Sequence, residues 1–254
     1  MNWHKFAIWV LATLFFFMLC GAIASHLFWH QAPLQGVGSA SFLFIAGLLV
    51  LITSTKQERQ PLALAGLIGF IAEVIGVQYG WLFGRYRYTE VLAPNWFGTP
   101  VVMICAWFIL IGYVRQLLLR FQFSIWVEVV LGGVWMTVID LLIDPIAAFP
   151  FNFWRWIETG PYYGIPSRNF LGWFVVSCLI LCVFRLVFKT SRRENLWVQM
   201  VGLGIILLYT ACAFGYRYYL VGFVGLGLSL MHGAIARPDR QFFQLRTEMK
   251  KHAY

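Results

Sequence analysis

Charge is what this sequence has least of. Asp, Glu, Lys and Arg make up only 11% of its residues, where a soluble domain carries about a quarter. That scarcity, with 61% hydrophobic residues, excludes an ordinary soluble enzyme and leaves little room for a separate soluble domain. Cysteine is also sparse. Cys20, Cys105, Cys178, Cys182 and Cys212 all lie in apolar stretches and form no CxxC pair, which argues against a disulfide framework or a zinc knuckle. There is no phosphate-binding loop, dinucleotide fingerprint, GxSxG or HExxH. Redox and phosphoryl-transfer cofactors therefore have no visible site. Five histidines are too few for a histidine-rich di-iron centre.

What is present is apolar sequence in long blocks. Segments of roughly 20 residues, the span of a bilayer, run at about 5–25, 37–54, 61–83, 99–119, 123–143, 169–189, 196–214 and 218–235. The blocks do not alternate, so a β-barrel is not indicated. The fold expected is an all-α integral membrane protein, a bundle of about eight transmembrane helices. A seven-helix reading stays open because only Gly215-Tyr216-Arg217 divide the last two. The first run, Phe6 to Ala24, is long enough to remain as a helix rather than a cleaved signal. Twenty-three glycines suit helices that approach closely in lipid. Residues 1–236 read as one polytopic membrane domain and 237–254 as a basic cytoplasmic tail near anionic headgroups.

The net charge of +9 is read as topology rather than nucleic-acid binding. With the N-terminus inside, 14 of the 19 Lys and Arg fall on the inner side, from Lys5, Lys56 and Arg59 through Arg115, Arg120, Arg185 and the tail. Arg85, Arg87, Arg155, Arg168 and Arg217 fall outside. The bias predicts eight helices with both termini cytoplasmic, in a bacterial inner (plasma) membrane. Two outer loops, residues 84–100 and 144–169, are rich in Trp, Tyr, Gly and Pro. They are expected to form fixed, irregular turns or a re-entrant piece packed on protein.

Against this background three carboxyl groups stand out. Asp140 and Asp144 close the segment Phe123–Ile143 and share a helix face at a spacing of four. Glu73 lies in the middle of the third segment. An acid at membrane depth is a functional-site hypothesis by default. The plainer alternatives are a packing hydrogen bond from Glu73 to Arg85 or a tyrosine, a turn cap at Asp144 before Pro145, and ion pairs from Asp140 to Arg155 or Arg168. Under the predicted topology all three acids, with Thr99 and Asn169 at the starts of the fourth and sixth helices, converge on the outer half of the membrane. Two nearby carboxyls tend to share one proton, a natural source of a general acid. His26 and His30 have metal-ligand spacing but sit at an interface where histidine is common, so no metal is expected. Glu128 reads as a paired or snorkelling acid.

Several of these pieces occur together in order: Glu73-Val74-Ile75-Gly76, Phe83-Gly84-Arg85-Tyr86-Arg87-Tyr88, Gly98-Thr99-Pro100 with Trp107, Asp140-Leu141-Leu142-Ile143-Asp144-Pro145, Trp154-Arg155-Trp156, Gly160-Pro161-Tyr162-Tyr163-Gly164-Ile165-Pro166 and Asn169-Phe170-Leu171-Gly172-Trp173. Over roughly residues 65–175 the chain resembles the carotenoid biosynthesis membrane-protein family, whose known members are carotenoid 1',2'-hydratases. The resemblance implies addition of water across the terminal double bond of an acyclic carotenoid, with no cofactor. It implies a carotenoid or related isoprenoid substrate, membrane lipids as surroundings, other carotenoid-pathway enzymes as partners and no nucleic acid. Placed on this sequence, that chemistry makes Asp140 the general acid and Asp144 or Glu73 the base that orients water. Tyr86, Tyr88, Trp107, Trp154, Tyr162, Tyr163, Asn169 and Trp173 become the substrate-binding set, with aromatic faces toward a carbocation. The alternatives are a cyclase or isomerase of another isoprenoid on the same site, or a non-catalytic lipid carrier or transporter. The crowding of unusual residues into the middle of the chain, with no symmetric counterpart, disfavours a transporter.

Overall fold

A computed structural model describes residues 3–30, 37–188 and 193–236. Among these the chain forms eight helices: α1 (Trp3–Trp29), α2 (Val37–Thr53), α3 (Lys56–Tyr79), α4 (Met103–Leu118), α5 (Ile125–Ala148), α6 (Ser167–Val187), α7 (Leu196–Gly215) and α8 (Tyr219–Ile235). Gly215-Tyr216-Arg217 does break α7 from α8, with Arg217 in the left-handed region at φ 65°, so the seven-helix reading falls. α1, α3, α5, α6 and α7 are each long and apolar enough to cross a membrane, and α2, α4 and α8 are shorter apolar helices. The basic tail, residues 237–254, lies outside the described residues.

Neighbours in sequence pack as antiparallel pairs, α1 on α2, α3 on α4, α5 on α6 and α7 on α8. Helices α4 and α7 sit at the centre: α4 touches α2, α3, α5 and α7, and every residue from Trp107 to Leu118 is buried. Its 16 residues span about 24 Å, short of a hydrocarbon core of about 30 Å. The deficit is met by loop residues packed on protein, with Thr99, Pro100 and Val102 buried. Close approach is set by glycine where a side chain could not fit. Gly69 of α3 lies under the Trp107 ring, and a Cβ on Gly172 of α6 would come within 2.6 Å of the Leu82 carbonyl oxygen.

Three helix boundaries and the outer loops differ from expectation. α3 stops at Tyr79 because Gly80, at φ 68°, turns left-handed and donates its N–H to the Gly76 carbonyl at 2.8 Å. α4 begins at Met103, so Thr99 is not a helix start; it belongs to the two-residue strand β3 (Thr99–Pro100), which pairs with β2 (Asn95–Trp96). α5 does not end at the aspartates but runs on through Pro145 to Ala148. Proline removes the N–H that would bond the carbonyl four residues back, here Leu141. The Tyr162 hydroxyl donates to that carbonyl at 3.0 Å, which allows the helix to continue. Finally, the outer loops are not wholly irregular: β1 (Tyr86–Tyr88) and β4 (Trp154–Trp156) form an antiparallel ladder with Tyr86 opposite Trp156 and Tyr88 opposite Trp154.

At the opposite end of the bundle the buried acids are paired. Glu128 meets Arg185 at 3.0 Å, and Glu58 meets Arg115 at 3.8 Å. Arg115, counted from sequence on the inner side, is buried in the last turn of α4 and lies over the Phe184 ring at 4.6 Å.

Candidate functional site: three carboxyls beneath an aromatic ladder

The 3.6-residue period of α5 puts Asp140 and Asp144 on one inward face, 1% exposed each. Glu73 reaches the same place from α3, and Asn169 from the first turn of α6. The β1–β4 ladder closes the site from the loop side. Its period of two sends Tyr86, Tyr88, Trp154 and Trp156 inward and leaves Arg87 and Arg155 exposed. The ladder is held to the end of α5 by Thr89, whose N–H donates to the Phe153 carbonyl at 2.9 Å and whose hydroxyl donates to that of Asn152 at 2.6 Å.

The three acids are hydrogen-bonded unequally. Glu73 accepts from the hydroxyls of Tyr86 and Tyr88, the latter at 2.9 Å, and from the Trp107 indole N–H at 3.2 Å. Asp144 accepts from the indoles of Trp154 at 2.8 Å and Trp156 at 3.1 Å on one oxygen, and from the Asn169 amide at 2.7 Å on the other. Among the described residues Asp140 accepts a single bond, from the same Asn169 amide at 2.6 Å, and its second oxygen has no protein partner. One side-chain amide therefore bridges both aspartates with its two N–H groups. Burial first, and the neighbouring Glu73 carboxyl next, push the Tyr86 and Tyr88 hydroxyls well above the usual phenol range. Both remain O–H donors at any working pH.

None of the ion pairs among the described residues reaches these acids. Arg155 donates to Asn152 and Arg168 to the Gly80 carbonyl, so the anticipated aspartate–arginine pairs do not form. Glu73 does bond tyrosine, as the plainer reading had it, but two of them.

The acids, the two tyrosines, Trp154, Asn169 and Trp173 line one cavity of about 20 Å³. A site of roughly 10–15 Å³ suffices for one water molecule. Beside it lies an apolar cavity of about 50 Å³, and Met103, Trp154 and Trp173 form walls of both. Trp107 stands behind Trp173, stacked on it at 4.4 Å and 16°. Two expected residues lie elsewhere. Tyr162 is engaged with the Leu141 carbonyl, and Tyr163 packs on the Tyr218 ring at 5.2 Å. Trp156, Phe83 and Met103 line the site without having been singled out. For Trp156 a signal existed: Trp-Arg-Trp repeats the alternation of Tyr-Arg-Tyr.

Thr99 is fully buried and makes no side-chain hydrogen bond. His26 is engaged by the Tyr216 hydroxyl at 3.0 Å and stacks on Phe151. Among the described residues no group of three or more His, Cys, Asp or Glu side chains is gathered to hold a metal ion.

A bisanhydrobacterioruberin hydratase of Haloarcula japonica is similar to this chain, 28% identical over 212 residues that cover 79% of the chain and 70% of that protein. No solved structure matches it. The sequence pattern of the carotenoid biosynthesis proteins matches residues 32–235, a stretch that contains the three acids, the bridging asparagine and the whole aromatic ladder, and the chain belongs to that family.

Proposed function

We propose that this protein is a cofactor-independent hydratase that adds water across the terminal C=C of an acyclic carotenoid end group. The observation that carries the reading is the unequal treatment of the three buried carboxyls around a water-sized chamber that shares walls with an apolar one. The family and the hydratase relative agree with it.

Three N–H donors on Asp144 suit a carboxylate. Asp140, with one donor and a free oxygen in the chamber, is the carboxyl able to carry a transferable proton. The end group would rest in the apolar cavity with its double bond against Trp173 and Met103. Asp140 donates its proton to the less substituted alkene carbon, the π bond breaks, and a tertiary carbocation forms. The Trp173 face, stacked on Trp107, stabilises that cation. A water in the chamber adds through oxygen and passes its surplus proton to Asp144. The pair then holds the same single proton, moved from Asp140 to Asp144, and its return resets the site. Glu73, tied by two hydroxyls and an indole, orders the ladder and contributes negative potential toward the cation.

The basic-residue bias places this end of the bundle on the face away from both termini. The test is pigment analysis in a host that makes acyclic carotenoids. Expression should yield a product heavier by one water. A cyclase or isomerase would change retention without changing mass, and a carrier would change neither; each of those results overturns the hydratase reading.

A further inference from the structure

Another apolar space lies away from the acids. It lies between α1, α2 and α7, a cavity of about 180 Å³ walled by Gly21, Ala22, Ser39, Phe42 and Leu208 among others. Phe17 also forms part of its wall and is 76% exposed on the bundle surface, so this space reaches the lipid-facing side. Leu43, Phe153, Ile205 and Tyr209 are walls both of this cavity and of the apolar one beside the acids. That second cavity in turn shares Met103, Trp154 and Trp173 with the water-sized chamber. Three spaces thus follow one another from the bilayer to Asp140, and each adjoining pair has walls in common.

Their sizes and linings differ in order. The outer two are apolar, and only the innermost, about 20 Å³, is lined by the carboxyls. A thin, rigid, fully apolar chain matches such a series, while a globular ligand does not. We propose that α1, α2 and α7 form a channel that takes the polyene of the substrate from the lipid and threads it end-first, past Tyr209 and Phe153, to the acids. The identity of the occupant rests on the carotenoid reading above; the channel does not depend on the acid chemistry. End-first threading also explains terminal selectivity: an interior double bond meets the acids only if chain extends beyond them, and the innermost chamber has no room for it.

The channel is testable because Gly21 faces open space. A Cβ built there meets no atom within 4 Å, so Gly21→Trp starts without a clash at the backbone and brings its ring to the cavity that Gly21 lines. Gly227 of α8 is equally unencumbered and lies outside the channel, so Gly227→Trp is the control. Each is combined with Asp140→Asn, purified from a host rich in acyclic carotenoid, and assayed for retained pigment by visible absorbance. Displacing the equivalent of even two buried methylenes lowers affinity about tenfold. Retained pigment is therefore expected to fall at least about tenfold for Gly21→Trp, and likewise for Ser39→Leu, which enters the same cavity from α2. Gly227→Trp should retain what its parent does. Full pigment in both channel variants overturns the channel. Loss in the channel variants alone, in a protein that makes no water adduct as wild type, supports the channel and removes the hydratase reading instead.

Discussion

Exchanging Asp140 for Asn separates acid chemistry from scaffold more cleanly than any other single change. Among the described residues Asp140 accepts only one hydrogen bond, from Asn169 at 2.6 Å. An introduced amide can keep that bond through its carbonyl oxygen and turn its N–H₂ group toward the cavity, where the second oxygen of Asp140 had no partner. The scaffold cost is then about 1 kcal/mol or less. The chemical cost is the loss of a proton donor, which general-acid catalysis sets at about 10²–10⁴-fold in rate, or about 2.7–5.5 kcal/mol at 1.36 kcal/mol per decade. Asp144→Asn differs in kind. Both indole donors converge on one oxygen, which the new carbonyl can replace. The new N–H₂ then faces the N–H₂ of Asn169, a donor–donor conflict at a buried contact of 2.7 Å. If Asn169 turns over to relieve it, its carbonyl can accept the Asp140 proton, but its N–H₂ loses both acceptors. Either way a buried group is left unsatisfied, at about 1–3 kcal/mol. The expected pattern is therefore an inactive but stable Asp140→Asn protein and a less stable Asp144→Asn protein. The assays are the ratio of water adduct to parent pigment in extracts, and the melting temperature in detergent. Retention by Asp140→Asn of wild-type rate within about threefold, far inside the range for a lost general acid, would refute the assignment of the proton to Asp140.

Three other outcomes are expected from the same geometry. Trp156→Phe removes one of the two indole donors to Asp144 and should lower the hydration rate about tenfold while the fold persists, a loss of about 1.4 kcal/mol that fits one hydrogen bond to a charged group; an unchanged rate in pigment extracts would show that the second indole is idle. Tyr162→Phe strips the donor from the Leu141 carbonyl that Pro145 leaves open and should cost about 1–3 kcal/mol of stability, seen as a lower melting temperature, with product formed per folded molecule unaltered. Gly69→Leu should push Trp107 off α3 and break both its bond to Glu73 and its stack on Trp173, seen as loss of activity with quenching changes in tryptophan emission.

The helices were legible because a bilayer imposes a length and an apolar composition that a local window can see. What escaped the sequence was decided by contacts between distant residues. Pro145 looked like a stop, since a proline ordinarily ends a helix; only a tyrosine 21 positions from Leu141 makes continuation possible, and no local rule contains it. The ladder was hidden by its brevity. Three residues per strand are too few to register as β structure, yet the matched alternation in Tyr86-Arg87-Tyr88 and Trp154-Arg155-Trp156 held the register in plain view. The burial of Arg115 was hidden because its partner Glu58 lies on another helix. The grouping of Glu73 with the aspartates was legible from topology alone, because helices that alternate in direction bring the ends of α3, α5 and α6 to one side.

The lack of any cation beside the three acids, among the described residues, is itself a chemical choice. At the far end of the same bundle Glu58 and Glu128 are each given an arginine. A guanidinium beside a carboxyl fixes it as an anion and would also repel a developing carbocation. The site at the three acids is built instead from neutral donors, namely two phenols, three indoles and one amide. Such donors orient carboxylate oxygens without neutralising them, and they leave one oxygen of Asp140 uncommitted. Most of the same side chains are aromatic, so the residues that tether the anions also present π faces to a cation. An arrangement whose only purpose was to stabilise buried acids would use the arginine solution seen at the other end. The sequence spends five aromatic side chains on two carboxyls and, among the described residues, gives them no counter-ion, an arrangement that suits the carbocation of the proposed reaction.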